Sequence, residues 1–407
     1  MSVSLCPICP CHETFQLREH TRDCFARFIE TKIIKRLERT DFRARNSTKG
    51  MIRKLLLPLS GGISSAALLR VVSRYLDGQM ARMGRTGFEL VVLFVDEGSY
   101  GEGEVEGFME EARERYPRHE YRRVPMMAQG GLEDEEAKEE EQQAEEDDDE
   151  PDPLDMNDIL NSLTSPTSHS DISAIALTHT IIRQAQLHNC EGVLWGDTTT
   201  RLAEKILAST ALGRGATLPW LVNDGPSPYT LPHSSAQITF LYPMKDVFRK
   251  ELDPYGQISG LKTLNTPQRA NGAVVSSKNA TIDGLMKEYF ESVEKDYPSV
   301  VANVVRTSSK LQPPLIGMSQ LSMQEEEDGA PILARSCRLC GVPVAAGEFG
   351  IHNWGGSQIR PDGSGPEARE AATESLKVLR APSVPVDPMI LAERQLCYGC
   401  ARSTLIA

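Results

Sequence analysis

The sequence predicts a doubly wound α/β domain on a parallel sheet, and three observations carry that expectation. First, the short apolar runs Leu55-Leu56-Leu57-Pro58-Leu59, Phe88 to Val95 and Gly192 to Trp195 are each followed by helical periodicity. That alternation folds into a parallel sheet with helices on both faces. Second, the runs are apolar without alternation, as strands covered on both faces must be. Third, Ser60-Gly61-Gly62-Ile63-Ser64-Ser65 follows the first run directly and reads as a turn between strand and helix. Paired glycines permit a tight turn with bare N–H groups, and a helix opening at Ser64 aims its positive end at the same spot. Hydroxyls at Ser60, Ser64 and Ser65 add donors, so Ser60, Gly61, Gly62, Ser64 and Ser65 are the expected contacts to a nucleotide phosphate. A Walker loop is excluded, because no Lys follows the second glycine.

The elements follow in order. Residues 1–50 form a cysteine-rich module and a basic helix. Cys6-Pro7-Ile8-Cys9 is a good metal-binding pair, and Arg22 to Arg45 carries Phe25, Phe28, Ile29, Ile33 and Leu37 at helical spacing. Between Lys32 and Lys54 there are nine Lys or Arg residues opposed only by Glu38 and Asp41. Lys35, Arg36, Arg39, Arg43 and Arg45 are therefore the expected phosphate contacts to RNA. The α/β domain spans 51–126 and 171–312. Within it a helix runs through Tyr75, a surface helix covers Glu104 to Tyr116, and further helices cover Asp171 to Asn189 and Thr200 to Ala211. Pro254 to Ala280 reads as loop, and Ile282 to Leu311 as helix broken at Pro298. Arg201 and Arg214 are expected near the top of the sheet, where open α/β folds bind ligands.

Composition bounds the rest. At 407 residues with 40% apolar content, the chain can support two or three domains. Its net charge of −13 is concentrated in Glu133 to Glu150, which holds thirteen acids against Lys138 alone. The remainder is nearly neutral, so local patches matter more than the total. Residues 127–170, with that acidic run, Pro151, Pro153 and the Ser/Thr-rich 162–170, have the composition of a disordered insert. No apolar run approaches the roughly 20 residues that span a bilayer. Cys6, Cys9 and Cys11 stand where a signal sequence would be apolar, and the expected compartment is the cytosol.

At the far end, residues 325–407 carry Cys337-Arg338-Leu339-Cys340 and Cys397-Tyr398-Gly399-Cys400. Each two-residue spacing lets both thiolates grip one ion, and two pairs complete a tetrahedral site. Structural zinc is the expected occupant, with a redox dithiol or an iron–sulfur ligand set as alternatives. The one cysteine between Ser60 and Leu311, Cys190, reads as a small buried hydrophobe.

Taken with Val91-Val92-Leu93-Phe94-Val95-Asp96-Glu97-Gly98 and Val193-Leu194-Trp195-Gly196-Asp197, the Ser60 to Ser65 hexamer resembles the start of a PP-loop ATP pyrophosphatase domain, whose motif is Ser-Gly-Gly-x-Asp-Ser. Gly196 to Glu204, Tyr242-Pro243-Met244-Lys245 with Lys250-Glu251, and Tyr297-Pro298-Ser299-Val300 through Arg306 to Leu311 resemble the cytoplasmic tRNA 2-thiolation proteins. The resemblance implies a PP-loop sheet with small zinc modules at both ends. It implies a heterodimer with a catalytic paralogue that activates the C2 carbonyl of the wobble uridine with ATP and takes sulfur from a thiocarboxylated ubiquitin-like carrier. It also implies Cys24 as the last ligand of an N-terminal zinc site. The third cysteine of that site would fall at Thr21, leaving His20, Cys11 or His12 as substitutes.

Departures from the family's enzyme pattern favour its second, non-catalytic subunit. Ser64 replaces the motif aspartate, and Thr200 and Arg201 stand where the pattern Gly-His-Asn-x-Asp-Asp has paired acids. A magnesium-ATP site needs hard anionic oxygens, and the two internal cysteines of the thiolating subunit have no clear counterparts. ATP or pyrophosphate is expected to be held weakly at most, and no catalytic residue is assigned. The competing expectations are a self-sufficient ATP-dependent tRNA thiolase and a zinc-stapled interaction protein with an empty nucleotide pocket.

Overall fold

A computed structural model describes residues 22–39, 53–126, 156–229, 237–264, 280–312, 335–344 and 396–405. Its centre is a six-stranded sheet in the order β3-β2-β1-β4-β6-β5. The strands are β1 (Lys54–Pro58), β2 (Glu89–Asp96), β3 (Glu120–Pro125), β4 (Gly192–Leu194), β5 (Gly225–Pro226) and β6 (Thr239–Leu241). All neighbours run parallel except β5, which pairs antiparallel with β6 at the edge. The sheet is thus mixed, a parallel core with one reversed edge strand. The chain order turns between β1 and β4, where open α/β sheets leave a crevice beyond the strand carboxyl ends.

Strand side chains alternate between the two faces, and the core divides accordingly. Leu55 and Leu57 of β1 pack with α1 (Arg22–Leu37), α2 (Ile63–Met83), α3 (Glu102–Arg115) and residues that include Leu252 and Tyr255. Leu56 faces the other way with Val91 and Leu93, toward α5 (Pro166–Leu187), α6 (Thr199–Ala211), α7 (Leu218–Val222), α9 (Ile282–Asp296) and α10 (Pro298–Ser308). Leu55, Leu56 and Leu57 are all fully buried, as a central doubly covered strand requires.

Several expectations are corrected. The Ser/Thr-rich end of the acidic insert is helical rather than disordered: α4 spans Met156–Ser162, and α5 begins at Pro166, five residues before the expected Asp171. Ser165 caps α5 by accepting from the Ser168 N–H, and Pro166 occupies the first turn, where its missing N–H costs nothing. The acidic run itself lies outside the described residues. Pro254, read as the start of a loop, sits inside α8 (Arg249–Ser259). The α1 helix ends at Leu37 rather than near Arg45. Its apolar stripe is as expected, with Phe25, Ile29, Ile33 and Leu37 buried. The helix after the Ser-Gly-Gly turn opens at Ile63 and runs well past Tyr75, and the break at Pro298 separates α9 from α10 as expected. Strands β3, β5 and β6 are short or half-polar and give no apolar run to read.

Candidate functional site

Two places gather chemistry-bearing side chains. One is the crevice at the carboxyl ends of β1, β2, β4 and β6. There Gly61 adopts φ +75°, the left-handed conformation the turn needs. Leu264 closes over it: its N–H donates to the Gly61 carbonyl at 2.9 Å, and a Cβ on Gly61 would lie 2.5 Å from Leu264 Cδ1. The Ser65 hydroxyl donates to the Gly62 carbonyl at 2.9 Å and sits 3.2 Å from Ser60 Oγ. Ser65 is buried, Ser60 exposed, and Gly62 and Ser64 half-buried at the helix start.

Two acids at this end, Asp96 and Asp197, are already balanced by cations, whereas burial and the neighbouring Asp96 push the Glu97 carboxyl up. Asp96, the last residue of β2, accepts from Arg123 at 2.6 Å and from the Gly98 N–H at 2.9 Å, contacts that pull its carboxyl below the ordinary range, the Arg123 bond most strongly. Asp197, after β4, holds Lys205 at 2.6 Å. Thr200 is fully buried; its hydroxyl donates to Glu294 Oε2 at 2.8 Å and accepts from the Arg249 N–H at 3.0 Å. Glu294 also accepts from the Lys250 N–H at 3.0 Å, and Glu251 from the Phe248 N–H at 3.0 Å. The opening N–H groups of α8 are therefore all satisfied, and two of them depend on Thr200 and Glu294. Arg201 pairs with Glu204 at 2.9 Å. Lys245 donates to the Val222 carbonyl and to Asn223 Oδ1; burial first, and nearby Arg36, bring its ammonium down to about 8. Glu294 and Asp224 were not singled out from sequence, because their partners Thr200 and Arg36 lie far along the chain.

Helix α1 grips the outer wall of this crevice. Arg36 donates to the Tyr242 carbonyl at 3.0 Å and pairs with Asp224 at 2.8 Å and Asp246 at 3.4 Å. Lys32 pairs with Glu251 at 3.1 Å and reaches the Asp246 carbonyl at 2.9 Å. Arg36, expected on phosphates, is thus turned inward onto its own domain, whereas Lys35 and Arg39 are exposed. Arg43 and Arg45 lie outside the described residues, as do Cys6, Cys9, Cys11, His12, His20 and Thr21. Cys24 is half-buried on α1.

The second place is a four-cysteine centre. A small hairpin, β7 (Arg335–Ser336) and β8 (Pro343–Val344), carries Cys337 and Cys340, and Cys397 and Cys400 open α11 (Tyr398–Leu405). Gly341 at φ +70° turns the hairpin. All four sulfurs lie within 4.8 Å of one another, with Cys340 and Cys397 at 3.7 Å. A tetrahedral tetrathiolate ion with metal–sulfur bonds of about 2.3 Å needs sulfurs roughly 3.8 Å apart, so the donor set and spacing fit a metal ion. Among the described residues this is the one cluster of three or more metal-ligating side chains; none forms in the crevice. Crowding divides the thiols. Hydrogen bonds from Cys340, Cys397 and Cys400 hold the Cys337 thiol far below its ordinary range, while the Cys340 thiol is raised, above all by sharing with Cys337. Burial raises Cys400 against the pull of Arg214.

Arg214, expected near the crevice, belongs to this centre instead: Nη1 lies 3.4 Å from Cys400 Sγ, and Nε and Nη2 fork onto Asp171 at 2.8 and 2.6 Å. Cys190 is buried away from both places, and burial pushes its thiol up to about 12, which suits a core residue. No helix among the described residues is long and apolar enough to cross a membrane.

Comparison with known proteins gives consistent matches. Residues 281–402 match the family model described as cytoplasmic tRNA 2-thiolation protein 2. The protein of that name from Pyrenophora tritici-repentis is 39% identical over 385 residues, covering 94% of this chain and 89% of that protein. Its counterpart from Phaeosphaeria nodorum is 41% identical over 389 residues, covering 94% and 88%. Among solved structures, the U34-tRNA thiolase NcsA from Methanococcus maripaludis, with its 4Fe-4S cluster, aligns with a TM-score of 0.49 at 14% identity, over 76% of this chain and 87% of that one.

Proposed function

The chain belongs to the family of cytoplasmic tRNA 2-thiolation protein 2, and from that premise we propose that it is the non-catalytic subunit of the cytosolic machinery that 2-thiolates the wobble uridine of tRNA. In this reading its sheet is of PP-loop type and forms a heterodimer with a catalytic paralogue. The paralogue activates the uridine C2 carbonyl with ATP and receives sulfur from a thiocarboxylated ubiquitin-like carrier. This chain holds the partner and the tRNA.

The observation that supports the non-catalytic part is the crevice. Activating a carbonyl oxygen with ATP requires magnesium and the anionic oxygens that hold it. Here Asp96 and Asp197 are paired with Arg123 and Lys205, Thr200 caps α8 with Glu294, and Leu264 covers Gly61. ATP or pyrophosphate, if bound by the Ser60 to Ser65 turn, is held only weakly in this reading. Lys35 and Arg39, with Arg43 and Arg45, are the proposed phosphate contacts to tRNA. Arg36 serves the fold.

Zinc is the metal proposed for Cys337, Cys340, Cys397 and Cys400, because four thiolates at tetrahedral spacing form a closed site with no open position. It would supply a fixed crosslink rather than a reaction step. Cys6, Cys9 and Cys24, with His20, Cys11 or His12, remain the proposed N-terminal ligands.

The test is purification of the tagged chain from its own cytosol, followed by identification of bound protein and RNA. Recovery of a PP-loop paralogue together with tRNA is the expected result. Recovery of neither would overturn the reading.

A further inference from the structure

The four-cysteine centre is keyed into the sheet domain by one side chain, and the key is asymmetric in a way that tetrahedral ligation alone does not need. Arg214 ends the turn after α6. Its side chain is 9% exposed, and three of its nitrogens reach described partners: two on the Asp171 carboxylate and one on Cys400 Sγ. Asp171 is held in turn by the Ser403 hydroxyl at 2.6 Å, from the helix that Cys400 opens. The surfaces fit without slack. A Cβ on Gly213, at φ +77°, would lie 2.3 Å from the Tyr398 ring, and one on Gly399 would lie 2.7 Å from Arg214 Cγ. Across the centre, His179 Nε2 lies 3.0 Å from the Cys340 carbonyl.

A divalent ion bound by four thiolates carries a net charge of −2, and burying it is costly unless cations and N–H donors face the sulfurs. Arg214 is a cationic side chain that donates to one of these sulfurs, Cys400 Sγ, and the Cys397 N–H donates to another, Cys337 Sγ, at 3.2 Å. A planar guanidinium can hold a carboxylate with one edge and a thiolate with another; an ammonium cannot match that fork.

We infer that Arg214 is the outer-shell positioning residue of this metal centre: it stabilises thiolate charge at Cys400 and locks the Cys397–Cys400 turn onto the α6 end of the sheet domain. This role rests on the proposed metal site. It gives Arg214 a purpose independent of any nucleotide, and it links the centre through α6, about 20 Å long, to Thr198 and Thr200 at the crevice.

The experiment uses the full chain, with zinc(II) in competition with a chromophoric chelator and cobalt(II) as spectroscopic probe. Arg214→Met is expected to weaken zinc binding roughly 10- to 100-fold. It should also move the sulfur-to-cobalt charge-transfer band to lower energy, since a thiolate without its N–H donor gives up charge more readily. Arg214→Lys should restore part of each effect. Zinc affinity within about twofold of the parent in both variants, or weaker affinity with an unshifted band, would overturn the role. Should the Met variant fail to fold, Arg214→Lys and Ser403→Ala, which loosens Asp171, decide by the same readouts. A parent chain that takes up no metal would overturn the metal site and this role together.

Discussion

Thr200 shows, for a single residue, what a carboxylate would meet in this crevice. A carboxylate introduced there would face Glu294, whose Oε2 is 2.8 Å from the present hydroxyl, and both would be buried. Thr200→Asp should therefore destabilise the fold by roughly 2 to 4 kcal/mol, through like-charge repulsion and weakened caps on α8. Urea unfolding at neutral pH reads this out, and a variant as stable as the parent would contradict the network. Ser64→Asp, on the half-buried rim, should cost far less and should not create activity, because Thr200 and Arg201 remain.

His119 gives a pH prediction at the same scale. Its Nε2 lies 2.7 Å from Ser73 Oγ, whose own hydrogen goes to the Leu69 carbonyl at 2.6 Å, so the ring nitrogen is the donor. Burial lowers its pKa to about 4. The folded state thus binds this proton less readily than the unfolded chain, whose His titrates near 6.5. The stabilisation is complete above about pH 6.5 and is lost as pH falls through about 4, about 3 kcal/mol in all. His119→Gln should flatten the decline of the urea midpoint across that interval; an unchanged decline would assign it to other groups.

The cysteine tetrad was legible residue by residue, because Cys-x-x-Cys is a local pattern with a fixed chemical meaning. Arg214 with Asp171 and Thr200 with Glu294 were not. Each pair is made by tertiary packing between residues with no shared motif.

At the scale of elements, α1 divides its cations by face. Lys32 and Arg36 clamp α8 and the loop after β6, while Lys35, and Arg39 just past the helix end, are exposed. Replacing Lys35, Arg39, Arg43 and Arg45 with Ala should weaken tRNA binding by the complex. It should also flatten the salt dependence, with each lost contact lowering the log–log slope by roughly 0.7 to 0.9. Arg36→Ala should instead lower stability and leave that slope unchanged. An unaltered slope in the fourfold variant, with the heterodimer intact, would mark the outward face as merely solvated.

The same helix shows what periodicity can and cannot reveal. Its buried stripe was readable from apolar spacing, but the split among its basic residues depends on which acids the sheet domain presents. Likewise α5 begins earlier than composition suggests because Ser165 and Pro166 are strong local start signals inside a segment whose average composition reads as disordered. Pro254 lies in the second turn of α8, which forgoes the one backbone bond that a proline cannot give to the carbonyl of Lys250.

At the scale of the whole molecule, the C-terminal cysteines sit against Ile172, Ile175 and Ala176 of α5, with Leu339, Val342 and Leu396 completing a separate apolar cluster. Metal held there would join segments distant in sequence to the sheet domain. Chelation should lower the melting temperature of the full chain, and zinc should restore it; a melting temperature indifferent to chelator would argue against a structural metal.

On the proposed function this chain supports tRNA thiolation without performing it. The most direct measurement is 2-thiouridine formed in tRNA by the purified chain with magnesium-ATP and a sulfur donor, alone and with the catalytic paralogue added. None is expected from the chain alone, and more from the pair than from the paralogue by itself. Robust turnover by the chain alone, or a paralogue rate indifferent to its presence, would contradict it.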